Sequence, residues 1–420
     1  MWNARGISLD FVAQRQRWEK LKQSIVLPRS ALWPEDAAST DLREIQDFGG
    51  NGFGGNPGAL RMFTFVPPDL PAGSPLVVVL HGCSQTAAGY DLGAGWSTLA
   101  KRYGFALLLP EQQRANNPNG CFNWFQPGDI ERGQGEPLSI RQMIENMVAA
   151  HGVDRRRVFI TGLSAGGAMT SVMLATYPDV FAGGAIIAGL PYGAATNVQQ
   201  ALASMSQCPP RSARAWGDLV RGASPDSSSH KEKSSSHKKD SSSHQKESWP
   251  RLSVWHGGAD TTVVPSNADE ILKQWTNVHA LDIAPSFTEV VDGFPRQVWR
   301  GAGGEDVIES FTIPSMAHGA PLAVGEDCDQ CGKAGAFLLD VGISSSYHIA
   351  KFWGLTGDAD CRETAAAVAA SRKANARRAT EMPREQVFTP QPEPASGIPR
   401  FDVGAVITNA LKAAGLMKSP

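Results

Sequence analysis

The segment Leu76-Val77-Val78-Val79-Leu80 is apolar at every position. A strand with one wet face would alternate, so this one must be covered on both sides, as in a mainly parallel sheet. The same reading extends along the chain. Strands are expected at Met62–Val66, Phe105–Leu109 (closed by Pro110), Val158–Thr161, Ala185–Ala188 and Leu252–Trp255, with Phe311–Ile313 as the last. Helical periodicities lie between them. Ser139–Ala150 carries Ile140, Met143, Ile144 and Met147 on one face, Ala168–Tyr177 stops at Pro178, and Ala268–Asn277 is a third. This alternation predicts an α/β architecture, a mainly parallel, doubly wound sheet with helices on both faces.

The 420 residues, 42% hydrophobic and 19% charged, suffice for one catalytic domain with extensions at both ends. Residues 1–48 read as an N-terminal extension, in which Phe11, Val12, Trp18, Leu21 and Ile25 recur at helical spacing. The domain is expected over 49–361. Within it, residues 225–248 hold three heptads, SSSHKEK, SSSHKKD and SSSHQKE, without an apolar side chain. Such a segment cannot offset the entropy of ordering and reads as a solvated linker. Its histidines, His230, His237 and His244, lie seven apart and are not preorganised as metal ligands. Residues 362–420 form a polar, proline-containing tail ending in a helix candidate, Val403–Met417.

A net charge of −2 gives no reason to expect a nucleic-acid or anionic-membrane partner. No apolar run reaches the roughly 20 residues that span a bilayer. Met1–Val12 carries Arg5 and Asp10 and lacks the apolar core of a secretion signal.

Gly162-Leu163-Ser164-Ala165-Gly166 matches G-x-S-x-G, with strand pattern before it and helix pattern after it. A sharp strand-to-helix turn exposes the serine hydroxyl at strained backbone angles, and the flanking glycines give room for the turn. Ser164 is the expected nucleophile in an α/β-hydrolase fold; the alternative is a glycine-rich packing turn. A serine needs a base, and the base an orienting acid, in the chain order Ser, Asp or Glu, His. Asp260 stands just past the strand ending at Trp255, and His318 follows the strand Phe311–Ile313. They are the expected acid and base. Asp269 falls in a helix pattern, His256 closes a strand, and His81 fails on chain order. The backbone N–H groups of Ala165 and Cys83 are the expected oxyanion donors. Trp124 and Phe125, in NNPNGCFNWF, and Tyr192 are expected to line the substrate pocket; the alternative is core packing.

The stretches LVVVLHGCSQTAAGYD, ALLLPEQQRANNPNGCFNWF, RVFITGLSAGGAM, SVWHGGADTTVVPSNADEI, SMAHGAPL and FLLDVGISSSYHIAKFWGL together resemble the polyhydroxybutyrate depolymerase family of esterases. The resemblance runs over roughly residues 50–357, apart from the heptads. It implies an α/β-hydrolase with Ser164, Asp260 and His318 as triad and Cys83 with Ala165 as oxyanion hole. It implies a small ester or oligoester substrate of the short-chain hydroxyalkanoate type, with feruloyl or acetylxylan esters as the alternative. A hydrolase-fold protein that only binds a ligand is the reading from another class. The resemblance suggests an extracellular enzyme, and the missing signal pattern a cytoplasmic one. No metal or other cofactor is expected.

Six cysteines leave pairings open. Cys328 and Cys331 form a C-x-x-C without two further ligands at zinc-finger spacing, so free thiols or a local disulfide are expected there. Cys83 and Cys121 fall in loops that should meet at the active-site edge. They are either bridged or two free thiols.

Deleting residues 226–247 is expected to change folding stability by no more than about 0.5 kcal/mol, and to leave ester turnover nearly unchanged. A clear drop in melting temperature, or stoichiometric nickel or zinc binding that vanishes with the deletion, would contradict the linker reading.

Overall fold

The computed structural model describes residues 41–46, 54–224 and 249–357. The N-terminal helix candidate, the heptads with their three histidines, Cys361 and the Val403–Met417 helix candidate lie outside these residues. The described residues belong to one compact unit spanning 37–361.

In chain order the strands and helices begin with β1 (Arg43–Ile45), β2 (Arg61–Phe65) and β3 (Leu76–Leu80). Next come α1 (Ala87–Ala94), α2 (Trp96–Tyr103), β4 (Ala106–Glu111) and α3 (Gly135–His151). β5 (Val158–Leu163), α4 (Ala165–Thr176), β6 (Gly183–Ile187), α5 (Val198–Ser206) and α6 (Ala213–Ala223) follow. The chain then forms β7 (Arg251–Gly257), α7 (Ser266–Val278), β8 (Phe287–Val291), β9 (Phe294–Arg300) and β10 (Asp306–Ile313). It closes with β11 (Ala320–Leu322), β12 (Leu338–Asp340) and α8 (Ser345–Phe352).

One ten-stranded sheet has the order β1-β2-β4-β3-β5-β6-β7-β10-β9-β8. The stretch from β4 to β10 is parallel throughout, as the all-apolar strands require. β1 and β2 at one edge and β9 and β8 at the other are antiparallel. The sheet is the large, mainly parallel sheet of the α/β-hydrolase class. The chain leaves β3 to one side for β4 and returns on the other for β5, so the order reverses at β3. In such sheets ligands bind at the carboxyl ends of the strands beside the reversal.

Every residue of β3, β4, β5 and β6 is buried. α4 is buried all round, and its small residues Ala165, Gly166, Gly167 and Ala168 let it lie against the sheet. α3 turns Ile140, Met143, Ile144 and Met147 inward, as its periodicity predicts. At the far side Trp255 and Phe311 stack at 3.9 Å between the neighbouring strands β7 and β10.

Several expectations need correction. The sheet begins within the segment read as an extension, because β1 pairs with β2. α3 starts four residues before the expected Ser139. Pro137 lies in its first turn, where a helix has no N–H bond to lose. Phe311–Ile313 is the end of a longer strand, and β11 and β12 follow it. The strand was disguised by Glu309, a buried carboxylate bonded to Ser253 Oγ at 2.7 Å and Arg296 Nε at 2.7 Å. The β8–β9 hairpin was not expected at all. Its turn is Asp292-Gly293 with φ of 50° and 85°, the two-residue primed turn that D-G announces.

A buried polar network ties the loops at the carboxyl edge to α3. Glu136 accepts the Asn123 N–H at 2.9 Å and the amide of Gln112. Burial, with the nearby charge of Asp129 adding, pushes its carboxyl up from 4.5 to about 8 against those hydrogen bonds. The folded chain therefore holds a proton that the unfolded chain gives up. That stabilisation is fully present below the ordinary carboxyl range and is lost as pH rises toward 8. Glu136→Gln turns an amide N–H toward one of the two donors, so it should lower stability overall. It should also flatten the decline in melting temperature between about pH 5 and pH 8. Parallel pH profiles for the variant and the parent would refute this account.

Candidate active site

Ser164 is the hinge between β5 and α4. Its φ of 57° and ψ of −116° lie where side chains are strained, at about 1–3 kcal/mol. Its N–H is held by Ile187 O at 2.9 Å. The turn closes only because its neighbours lack side chains. A Cβ on Gly162 would lie 2.3 Å from Gly166 O, and one on Gly166 would lie 2.4 Å from Leu80 O.

Ser164 Oγ lies 2.9 Å from His318 Nε2, and His318 Nδ1 lies 2.7 Å from Asp260 Oδ2. A carboxylate facing Nδ1 fixes the proton there, so Nε2 is free to accept from the serine hydroxyl. The loops carrying Asp260 and His318 are stitched together by main chain. Ala259 N–H donates to Met316 O at 3.0 Å and Gly258 N–H to Ile313 O at 2.8 Å. A Cβ on Gly257 would lie 2.3 Å from Met316 O, so these loops need glycine to meet.

Asp260 is 3% exposed. Burial alone would raise its carboxyl. The nearby His256, the hydrogen bond from His318, the charge of His318 when protonated, and the Val263 N–H overcome that and hold it well below the usual carboxylate range. Its Oδ1 takes the N–H groups of Thr262 at 2.8 Å and Val263 at 2.9 Å. His256 donates from Nε2 to Val263 O at 2.8 Å and stands 3.5 Å from Asp260 Oδ2. From the sequence, His256 only closes a strand. Its spacing of four from Asp260 was the one available signal.

The register of β3 with β5 sets Leu80 beside Gly162, so the turn after β3 lies next to the serine. That turn holds Cys83. Among the described residues, neither Cys83 N–H nor Ala165 N–H meets a hydrogen-bond acceptor. Cys83 is bonded to Cys121, with Cα atoms 4.2 Å apart. Of the two readings left open by the sequence, the bridged one holds. The C-x-x-C is divided: Cys328 is disulfide-bonded, while Cys331 is a free buried thiol 3.4 Å from Ser344 Oγ. Among the described residues no group of three or more His, Cys, Asp or Glu side chains could hold a metal ion.

The aromatic residues divide as well. Trp124 is 7% exposed and sits in the core, edge-on to Phe125 at 5.4 Å. Phe125 and Tyr192 are half-buried against that core. Tyr192 donates its hydroxyl to Ile130 O at 3.1 Å, and burial pushes the phenol up to about 12.

A family model described as Esterase PHB depolymerase matches residues 62–221. Poly(3-hydroxyalkanoate) depolymerase C of Paucimonas lemoignei is 48% identical over 305 residues, covering 73% of this chain and 69% of that one. Feruloyl esterase B of Neurospora crassa is 33% identical over 308 residues, covering 70% of this chain and 95% of that one. The solved acetyl xylan esterase from Aspergillus awamori aligns with a TM-score of 0.57 at 24% identity, over 75% of this chain and all (100%) of that one. This last likeness bears on the fold alone.

The Cys83–Cys121 bridge spans a sequence separation of 38, for which loop-closure entropy predicts about 2–4 kcal/mol. Peptide mapping of unreduced, denatured protein should yield the linked pair, and Cys83→Ser and Cys121→Ser should each destabilise by that order. Alkylation of both thiols in unreduced active protein would rule the bridge out.

Proposed function

The chain belongs to the PHB depolymerase family of esterases, and from that footing we propose that it cleaves carboxylic esters through an acyl-enzyme on Ser164. The observation that carries the proposal is the unbroken line of hydrogen bonds from Ser164 through His318 to Asp260, 2.9 Å and 2.7 Å long.

Ser164 Oγ attacks the ester carbonyl as His318 Nε2 takes its proton. Asp260, held ionised, stabilises the imidazolium that results. The carbonyl oxygen becomes an oxyanion between the N–H groups of Ala165 and Cys83, and the first turn of α4 adds its favourable dipole. His318 then gives the proton to the departing alkoxide, and the acyl group stays on Ser164. Water then attacks the acyl carbonyl as His318 Nε2 takes its proton; the bond to Ser164 Oγ breaks, His318 returns that proton to Oγ, and the carboxylic acid leaves. The complete triad argues against a protein that only binds.

Short-chain hydroxyalkanoate esters and oligomers are the proposed substrates. The 48% identity to a relative named as a poly(3-hydroxyalkanoate) depolymerase supports them over feruloyl or acetylxylan esters. Phe125 and Tyr192, half-buried, are the proposed apolar contacts; Trp124 backs Phe125 edge-on from within the core. The Cys83–Cys121 disulfide supports an oxidising, extracellular setting. Among the described residues no helix is long and apolar enough to cross a membrane.

Ser164→Ala, His318→Ala and Asp260→Asn should each lower kcat at least about 10³-fold, and the Ser164→Ala/His318→Ala double variant should be scarcely worse than either single. Near-normal turnover in His318→Ala would refute the assignment. Relative kcat/KM on 3-hydroxybutyrate oligomers, a feruloyl sugar and an acetylated xylo-oligosaccharide tests the substrate class, with the first expected to lead.

A further inference from the structure

His318 is approached from a second direction by the turn that leads into β12. β11 and β12 pair in parallel with Ala320 beside Leu338, so Gly319 and Phe337 stand side by side just before the two strands. Ala320 N–H donates to Phe337 O at 2.9 Å, and a Cβ on Gly319 would lie 2.8 Å from that oxygen. The Phe337 ring stands 5.9 Å from the His318 ring at an interplanar angle of 76°, edge to face.

Neither backbone nor core asks for a phenylalanine here. Leu338 N–H donates to Gly335 O at 3.1 Å and Gly335 N–H to Leu338 O at 2.9 Å, so residues 335–338 form a closed turn. Phe337 is its third residue, with φ of 62°. A positive φ at that place belongs to glycine or asparagine, and for a bulky side chain it is strain. The ring is only half-buried. Among the described residues Phe125 and Tyr192 pack against the main core, whereas Phe337 does not. Both flanks of the turn are nevertheless fixed, for Lys333 N–H is held by Gly93 O at 2.9 Å and Val341 N–H by Leu322 O at 3.0 Å. A strained but firmly held turn presents one aromatic ring beside the imidazole, and strain of this kind gathers at functional sites.

The direction of proton transfer says what occupies the space beside His318. The carbonyl carbon of an ester holds an oxo oxygen, an acyl chain and an alcohol oxygen. The oxo oxygen turns to the N–H groups of Ala165 and Cys83. His318 Nε2 must come within about 3 Å of the alcohol oxygen to protonate it as it leaves. The carbon on that oxygen is one bond farther and lies along the imidazole, while the acyl chain leaves on the remaining side. A wall beside His318 is therefore a wall for the alcohol.

We propose that Phe337 forms the apolar wall of the alcohol subsite and selects esters whose alcohol portion is a carbon chain. The proposal rests on the reading of Ser164, His318 and Asp260 as the triad. In a 3-hydroxyalkanoate oligomer the alcohol portion is the neighbouring unit, which leaves through its secondary hydroxyl. Phe337 exchanges no proton and acts only through apolar contact with the departing chain.

The acyl-enzyme isolates this subsite, because it has already lost its alcohol. Butyryl-enzyme formed from p-nitrophenyl butyrate is offered methanol or hexanol in competition with water. The alcohol oxygen adds to the acyl carbonyl as His318 Nε2 takes its proton. The bond to Ser164 Oγ then breaks, His318 returns the proton to Oγ, and the alkyl butyrate leaves. Both alcohols meet the same acyl-enzyme and the same base. The yield of hexyl over methyl butyrate, per mole of alcohol, is thus blind to a slackened His318 or to a loss of folded protein. The parent is expected to favour hexanol at least about tenfold. Phe337→Gly and Phe337→Asn, which both suit the positive φ, should each cut that ratio about tenfold, and Phe337→Leu should cut it less than about threefold. Relative kcat/KM values for p-nitrophenyl acetate, butyrate and hexanoate, which share one alcohol, should keep their spread within about twofold in all three variants. An unchanged alcohol ratio in Phe337→Gly and Phe337→Asn would overturn the proposal, as would a shift in acyl preference as large as that in the alcohol ratio.

If neither variant folds, the parent decides: a preference for hexanol below about tenfold overturns the proposal, and a larger one sustains it. Labelling of Ser164 by a fluorophosphonate, lost in Ser164→Ala, tests the underlying reading separately. If labelling occurs and the alcohol ratios of variant and parent match, Phe337 loses its role while the esterase reading stands. If the parent is not labelled, both fall.

Discussion

The parallel pairing of β3 with β5 is the constraint from which the rest of the site follows. It sets Leu80 beside Gly162, so two strands end together and their following turns must share one small volume. One turn carries Ser164 and the other carries Cys83. The contact between them is main chain against main chain, with Leu80 O and His81 O facing the position where Gly166 has only hydrogen. A methyl group there would push the two turns apart and take the proposed oxyanion donors away from the serine. Glycine is needed at this point for closeness rather than for an unusual φ, whereas Ser164 carries the positive φ itself.

That strain persists only because its surroundings over-determine it. Ser164 N–H is tied to Ile187 O on β6, its carbonyl accepts the Ala168 N–H, and α4 is buried along its whole length. Relaxing the serine would mean dislodging a helix from the core. The turn bearing Cys83 has anchors of another kind. It is held by the bond to Cys121, by Ser84 N–H on Asn119 O at 2.8 Å, and by the Gly82 contacts of Gln85 and His81. Each ties the turn after β3 to itself or to the loop after β4. The Gln112–Glu136–Asn123 network then ties that loop to α3.

The central sheet was legible because its strands are apolar on both faces, and the triad because it hangs on strand ends in a fixed chain order. Ser164 directly follows β5, Asp260 comes three residues after β7 and His318 five after β10, all strands that the apolar runs marked. What escaped the sequence was of other kinds. β1 has three residues and no hydrophobic pattern of its own; it exists because β2 offers it an edge. β10 was truncated in the reading because Glu309 looks like a surface residue until Arg296, from the next strand, is seen to neutralise it. The β8–β9 hairpin carries a local signal in Asp292-Gly293. Chain order excludes His81 as the base and says nothing further of it. Its partner Gln112 lies 31 residues away on another strand end, a relation that one sequence does not display.

The proposed chemistry finally depends on a buried negative charge that remains a charge. A carboxylate removed from water without compensation would take up a proton and cease to orient His318. Asp260 avoids this because its loop replaces the lost water with fixed donors: two backbone N–H groups on Oδ1, and His318 on Oδ2 with His256 close by. Those donors exist only because Gly257 and Gly258 let the loop fold back onto Met316 and Pro314. The same contacts that bring the base loop to the acid therefore also keep the acid ionised. Geometry and protonation state here have one cause, and a change that loosens the 257–260 turn would disturb both together.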